Sequence, residues 1–267
     1  MNRIDAAFSR LREKKQKAFI PYITAGVPGP KETVDLALML DKQGADILEL
    51  GYPFSDPMAD GVVNQSAATR ALENGVDDMA YLGMVRAIRE KSQIPIVVFS
   101  YLNPIFRLGM EDFAQRARDA GVDGFLLVDM PVEETEEFQK ICKRLDLRLI
   151  FLAAPTTTPV RLERLLREAS GFLYYITRTG ITGEQQGFQK DFESKLAAVK
   201  KASPIPVVAG FGISTPEQVR TVCRICDGAV VGSALVRRTL EKKPWLEIRS
   251  ELDSLSSALI APTKEIY

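Results

Sequence analysis

Glu49 and Asp60 are the two residues whose type and placement most directly suggest chemistry. Glu49 lies inside the apolar run Ile47–Leu50, and Asp60 follows on a loop stiffened by Pro53 and Pro57. The chain contains no histidine, so proton transfer near neutral pH falls first to carboxylates. A glutamate on a strand buried on both faces is costly to ionise. Its pKa rises toward neutrality, where one group can both donate a proton and take it back. A Glu49 facing water, or paired with a lysine or arginine, would instead be an ordinary structural residue. Asp60-Gly61 is also a common turn dipeptide, and Asp56 before Pro57 has the same double reading.

Three glycine-bearing turns form a second group of candidates. They are Gly180-Ile181-Thr182-Gly183, Gly210-Phe211-Gly212-Ile213-Ser214 and Gly232-Ser233, and each follows one of the last three strand-like runs. Glycine lets backbone N–H groups approach an anion, and a helix start adds a favourable dipole, which together suit a phosphate group. The alternative is three plain strand-to-helix turns. The segment from Arg178 to Gln189 reads either as a lid over the site or as a passive long loop. Cys223 and Cys226 have C-x-x-C spacing, but the only other cysteine is Cys142 and there is no histidine to complete a zinc site. All three are expected to be reduced core thiols, and no metal is expected.

The elements that must position these residues alternate along the chain. Strands are expected at Ala18–Thr24, Ile47–Leu50, Ile96–Ser100, Gly124–Val128, Arg148–Leu152, Phe172–Thr177, Val207–Gly210 and Ala229–Val231. Their short, continuously apolar, β-branched character fits a parallel sheet covered on both faces. Amphipathic helices are expected at Lys31–Gln43, Gln65–Asn74, Asp78–Lys91, Glu111–Ala120, Glu133–Leu145, Pro159–Glu168, Phe192–Lys201, Pro216–Cys223 and Pro244–Leu259. A further N-terminal helix buries Ile4, Ala7, Phe8 and Leu11. A faint repeat recurs at strand entries: Gly44-Ala45-Asp46, Gly121-Val122-Asp123-Gly124 and Asp227-Gly228. Eight β–α units in 267 residues predict a single (β/α)8 TIM barrel domain, an α/β fold spanning residues 1–267 with an extra N-terminal helix. In such barrels, chemistry sits at the C-terminal ends of the strands, and phosphate sits after strands seven and eight. No G-x-G-x-x-G follows the first strand, which argues against a dinucleotide fold.

Composition narrows the partners. Lys plus Arg and Asp plus Glu are equal, at 35 each, so no basic surface for nucleic acid is expected. No apolar run is long enough for a membrane span, and residues 1–5 lack the apolar stretch of a secretory signal. A soluble, cytoplasmic protein is expected.

Taken together, these segments resemble the tryptophan synthase alpha subunit family along nearly the whole chain. The most specific stretch is Leu48-Glu49-Leu50-Gly51-Tyr52-Pro53-Phe54-Ser55-Asp56-Pro57-Met58-Ala59-Asp60-Gly61. It is supported by Pro21–Gly26, Tyr101-Leu102-Asn103-Pro104, Asp129-Met130-Pro131, Ala154-Pro155-Thr156-Thr157 and Arg178–Gly183. The resemblance implies a lyase that cleaves indole-3-glycerol phosphate to indole and glyceraldehyde 3-phosphate by a retro-aldol route, with no cofactor. It implies that Glu49 shuttles protons and that Asp60 holds the indole N–H. Phosphate would be held at Gly183, Gly212, Gly232 and Ser233. The indole would lie among Tyr22, Phe99, Leu126, Tyr174 and Phe211, with Thr182 in a closing loop. It also implies a beta subunit carrying pyridoxal phosphate, in an alpha–beta–beta–alpha heterotetramer, facing residues 53–60 and 103–106. The chain departs from the family pattern at Tyr22, Val27, Val62 and Asn64, where Phe, Asp, Pro and an apolar residue are usual. Two other readings fit less of the sequence. One is a barrel that only binds and activates a beta subunit; the other is a sugar-phosphate isomerase or epimerase, many of which rely on histidine.

Overall fold

The computed structural model describes residues 1–177 and 191–259. Among them, eight strands run parallel and close into a barrel in sequence order: β1 (Ala18–Thr24), β2 (Leu48–Gly51), β3 (Ile96–Ser100), β4 (Gly124–Leu127), β5 (Arg148–Ala153), β6 (Leu173–Ile176), β7 (Val207–Gly210) and β8 (Gly228–Val231). The ring closes where Ala18 to Pro21 of β1 pair with Gly228 to Val231 of β8. The expected (β/α)8 architecture is therefore present, with strand ends within a residue or two of those read from the sequence.

Helices pack outside the barrel. The first is α1 (Arg3–Glu13), capped by the Asn2 side chain accepting from the Ile4 N–H. Its stripe of Ile4, Ala7, Phe8 and Leu11 is buried as expected. This helix lies across the strand entries: Asn2 Nδ2 donates to the carbonyls of Asp123 and Asp146, and Asp5 pairs with Arg148 on β5. Then follow α2 (Pro30–Lys42), α3 (Val62–Glu73), α4 (Asp78–Arg89), α5 (Leu102–Leu108), α6 (Met110–Ala120), α7 (Glu136–Arg144), α8 (Pro159–Glu168), α9 (Phe192–Ala202), α10 (Pro216–Cys223), α11 (Ser233–Leu240) and α12 (Trp245–Ser257). Two of these, α5 and α11, are additional to the helices read from the sequence. The single helix expected over Glu133–Leu145 is divided: a 3-10 turn at Val132–Glu134 precedes α7, and Thr135 Oγ1 donates back to the Val132 carbonyl. Among the described residues, no helix is long and apolar enough to cross a membrane.

The faint sequence repeat has a structural meaning. Asp46, at the entry of β2, accepts the Phe19 N–H at 3.0 Å while its own N–H donates to the Phe19 carbonyl. Asp123 makes the same two bonds with Ile96, and Asp227 with Val207. Ser170 repeats the exchange with Leu149 through its hydroxyl. Each clasp joins an odd strand to the even strand that follows it. The aspartates also meet cations: Arg10 at Asp46, Arg3 and Arg89 at Asp123, and Lys200 at Asp227. Asp123 is the most buried of the three sites, at 3% exposure. Burial raises its pKa, against the pull of the Ile96 N–H and Arg3. Asp123→Ala would strand the Ile96 N–H and leave the largely buried Arg89 guanidinium, held by the carbonyls of Gly121, Ser92 and Ile94, without its counter-charge. A loss of about 3–5 kcal/mol in urea-unfolding free energy is expected; a loss below about 1 kcal/mol would show that the clasp is dispensable.

All three cysteines are free and buried, as expected of core thiols. Burial pushes the Cys142 thiol up to about 12 and the Cys226 thiol up to about 11, so neither is a ready nucleophile at neutral pH.

Candidate active site

Strand β2 ends at the C-terminal mouth of the barrel, and its second residue is Glu49. Register places Glu49 beside Tyr22 of β1 and Val97 of β3. The carboxyl group is fully buried, and neither oxygen has a hydrogen-bond partner among the described residues. Burial alone drives its pKa well above the usual carboxylate range. The alternatives of a water-facing or ion-paired glutamate do not describe this side chain. What remains is a neutral acid that opens onto a cleft bordered by Tyr22, Asn64, Phe99, Tyr174, Phe211, Gly212, Val230, Gly232 and Ser233.

Asp60, on the loop that leads into α3, is not among the residues that border this cleft, but it contacts Asn64, which is. It is buried at 6% exposure, and Tyr101, just past the end of β3, donates its hydroxyl proton to Oδ2 at 3.0 Å. The Tyr101 oxygen in turn accepts the Ala59 N–H at 3.0 Å, which directs its proton toward Asp60. Asn64 Nδ2 lies 3.3 Å from Oδ1, and Gln65 Nε2 donates to the Asp60 carbonyl at 2.7 Å. A residue serving only as a turn would not gather side chains from two elements. Tyr101 was quoted within a sequence motif but not singled out; the available signal was an aromatic residue directly after a strand at the catalytic end.

Two tyrosines line the cleft, and each lies over a glycine of the next strand. A Cβ on Gly51 would fall 2.5 Å from the Tyr22 hydroxyl, and one on Gly210 would fall 1.9 Å from the Tyr174 hydroxyl. Tyr22 packs edge-on against Phe99 at 5.0 Å, and Tyr174 against Phe211 at 5.6 Å. Burial raises the pKa of both phenols, and negative charge at Asp60 adds to the rise for Tyr22. Both therefore stay protonated beside the carboxyls.

The far end of the cleft is built from backbone. Phe211 and Gly212 both have positive φ, 70° and 83°, and for Phe211 this is a strained conformation. Thr177 holds it by donating its hydroxyl to the Phe211 carbonyl. Gly232 caps α11 without a side-chain hydrogen bond, so the first N–H groups of that helix are left for other acceptors. By contrast, α10 is closed by a reciprocal pair between Thr215 and Gln218.

Comparison with known proteins agrees with this geometry. Residues 8–258 match the family model described as tryptophan synthase alpha chain. The tryptophan synthase alpha chain of Geotalea daltonii is 44% identical over 261 residues, covering 98% of both chains. That of Pelobacter propionicus is 47% identical over 259 residues, covering 97% of both. The chain belongs to the tryptophan synthase alpha chain family. Among solved structures, tryptophan synthase subunit alpha from Legionella pneumophila superposes with a TM-score of 0.89 at 38% identity, covering 97% of this chain and 99% of that one. A chain of Mycobacterium tuberculosis tryptophan synthase gives 0.90 at 30% identity, covering 98% and 99%. As a member of that family it is a lyase of tryptophan biosynthesis that carries out the alpha reaction, and membership of the family implies a beta-subunit partner.

Of the residues singled out in the sequence, this alpha chain brings Tyr22, Glu49, Phe99, Tyr174, Phe211, Gly212, Gly232 and Ser233 to one cleft. Leu126 is buried on β4 in register with Phe99, but it is not among the residues that border the cleft. Thr182, Gly183 and the Arg178–Gln189 segment lie outside the described residues. The Gly210 contact gives a direct test of the wall: Gly210→Ala forces Tyr174 out of its place. We expect kcat/KM for the alpha reaction to fall by about tenfold or more, with a stability loss of about 1–3 kcal/mol. Unaltered kinetics would show that the cleft does not need this tyrosine in place.

Proposed function

We infer that the cleft holds indole-3-glycerol phosphate with its ring among Tyr22, Phe99, Leu126, Tyr174 and Phe211 and its phosphate at Gly183, Gly212, Gly232 and Ser233. Glu49 is the proton shuttle. The single observation that carries this reading is a fully buried, hydrogen-bond-free carboxyl opening onto the cleft that also contains Gly212, Gly232 and Ser233. Held neutral by burial, Glu49 donates a proton to indole C3, giving the indolenine-like intermediate. The resulting carboxylate takes the proton from the hydroxyl on the adjacent side-chain carbon. As the aldehyde C=O forms, the bond from that carbon to C3 breaks, and its electrons return to the ring as indole. The products are indole and glyceraldehyde 3-phosphate, and Glu49 ends protonated as it began.

Asp60 accepts the ring N–H and offsets the positive charge that develops there on C3 protonation. Thr182 belongs to the loop that closes over the substrate. The full reading is a single-domain, cytoplasmic barrel in an alpha–beta–beta–alpha assembly, with residues 53–60 and 103–106 toward a beta subunit that carries pyridoxal phosphate. Exposed Met58 and Phe106 support that orientation.

The test is indole release from indole-3-glycerol phosphate by the purified chain, with and without a tryptophan synthase beta subunit. Release that rises on adding the partner is expected. Substrate binding without release in either condition would leave a barrel that only binds and regulates.

A further inference from the structure

Asn64 is a polar residue in an expensive place. It stands in the first turn of α3, buried at 7% exposure, and borders the cleft together with Glu49. Asparagine is a mediocre helix former, and burying its amide is costly wherever its hydrogen bonds are not replaced. An aliphatic side chain would be the cheaper wall for an aromatic ring. What the amide offers instead is a donor: Nδ2 lies 3.3 Å from Asp60 Oδ1, one helical turn earlier in the chain. A carboxylate presents only acceptors, so the amide must turn its NH₂ edge toward it.

Asp60 is thus gripped from two directions. Tyr101, from the end of β3, donates to Oδ2, while Asn64, from α3, donates to Oδ1. The backbone at Asp60 is fixed separately, by Gln65 on its carbonyl and by its own N–H donating to Pro57. The remaining freedom is rotation of the carboxyl group about its last bond, a torsion with a broad well. Two donors on opposite oxygens, carried by different elements, remove that freedom.

We propose that Asn64 is a positioning residue for the alpha reaction, sharing with Tyr101 the task of holding the Asp60 carboxylate in the one orientation that meets the substrate's ring N–H. This rests on the assignment of Asp60 to the ring N–H made above. Because the phosphate anchors the substrate at the far end of the cleft, lost orientation at Asp60 appears in turnover rather than in binding.

The experiment is steady-state kinetics on the full chain with its beta subunit and indole-3-glycerol phosphate, in a cycle of Asn64→Leu, Asp60→Asn and the double variant. Asn64→Leu is expected to lower kcat about tenfold with KM within about twofold. In the Asp60→Asn background it should change nothing further, because no carboxylate remains to be oriented. An unchanged kcat in Asn64→Leu, an equal loss in both backgrounds, or an effect confined to KM would each overturn the proposal, since the amide would then only shape the wall. Full activity in Asp60→Asn alone would remove the role of Asp60 itself and the proposal with it, a failure distinct from the other three. Should the leucine variant not fold, Asn64→Ala carries the same comparison.

Discussion

Glu49→Gln will abolish indole formation and at the same time make the protein harder to unfold. The activity loss follows from the proton path. An amide of the same shape can neither protonate C3 nor accept the hydroxyl proton, so a fall in kcat of about 10³-fold or more is expected, with substrate binding nearly unaltered. The stability gain follows from burial. The Glu49 carboxyl has a folded-state pKa well above the ordinary glutamate value of about 4.5, and desolvation is the cause. Below about pH 4.5 the folded and unfolded chains both hold the proton, and the group costs nothing through ionisation. As pH rises above that value, the unfolded chain releases its proton while the folded chain keeps it, so stability falls with pH until the folded carboxyl also ionises. Glutamine has no such term. The melting temperature of Glu49→Gln should therefore exceed that of the parent by a margin that widens from pH 5 to pH 8. A margin that stays flat or narrows would mean that Glu49 is not a buried neutral acid.

Asp60→Asn is the second large effect. The substitution keeps size and removes the charge, and it sets an NH₂ group against one of the two donors, Asn64 or Tyr101. Stabilisation of a developing charge by one prepositioned group is worth about 10²–10³-fold in rate, and a kcat loss of that order is expected, with only a minor change in KM. Tyr101→Phe, which leaves the carboxylate but releases one of its oxygens, should cost less, about tenfold. Single-turnover measurement of indole formation separates these losses from product release. Parent-like turnover in Asp60→Asn would reduce Asp60 to a turn residue.

Much of the architecture was legible because the strands of a covered parallel barrel announce themselves as short apolar runs, and β1, β3 and β7 begin and end where those runs do. The helices that escaped did so for physical reasons. In α11, Ser233, Ala234, Leu235, Val236 and Thr239 are all buried, so the segment shows no clear polar face. In α5, seven residues long, only Ile105 is buried, too little for a periodic stripe. The site was partly legible. A glutamate in an apolar run was visible; that nothing would neutralise it was not, since this depends on what five or six other segments bring near. The grip on Asp60 was harder still, because Tyr101 is distant in sequence and gives away its role only through the Ala59 N–H that orients its hydroxyl.

The clasps at the strand entries bear on how the chain finds this shape. They span 27, 27, 21 and 20 residues, and they tie β1 to β2, β3 to β4, β5 to β6 and β7 to β8. Loops of that length close at little entropic cost, so each pair of strands can be secured by its own side chain before the other pairs are in place. The contact that cannot be made locally is the seam between β1 and β8, where Ala18 meets Gly228. The barrel thus divides into four clasped pairs, three seams that join those pairs in sequence order and one long-range closure, and that closure is the step most exposed to the slow search that contacts distant in sequence impose.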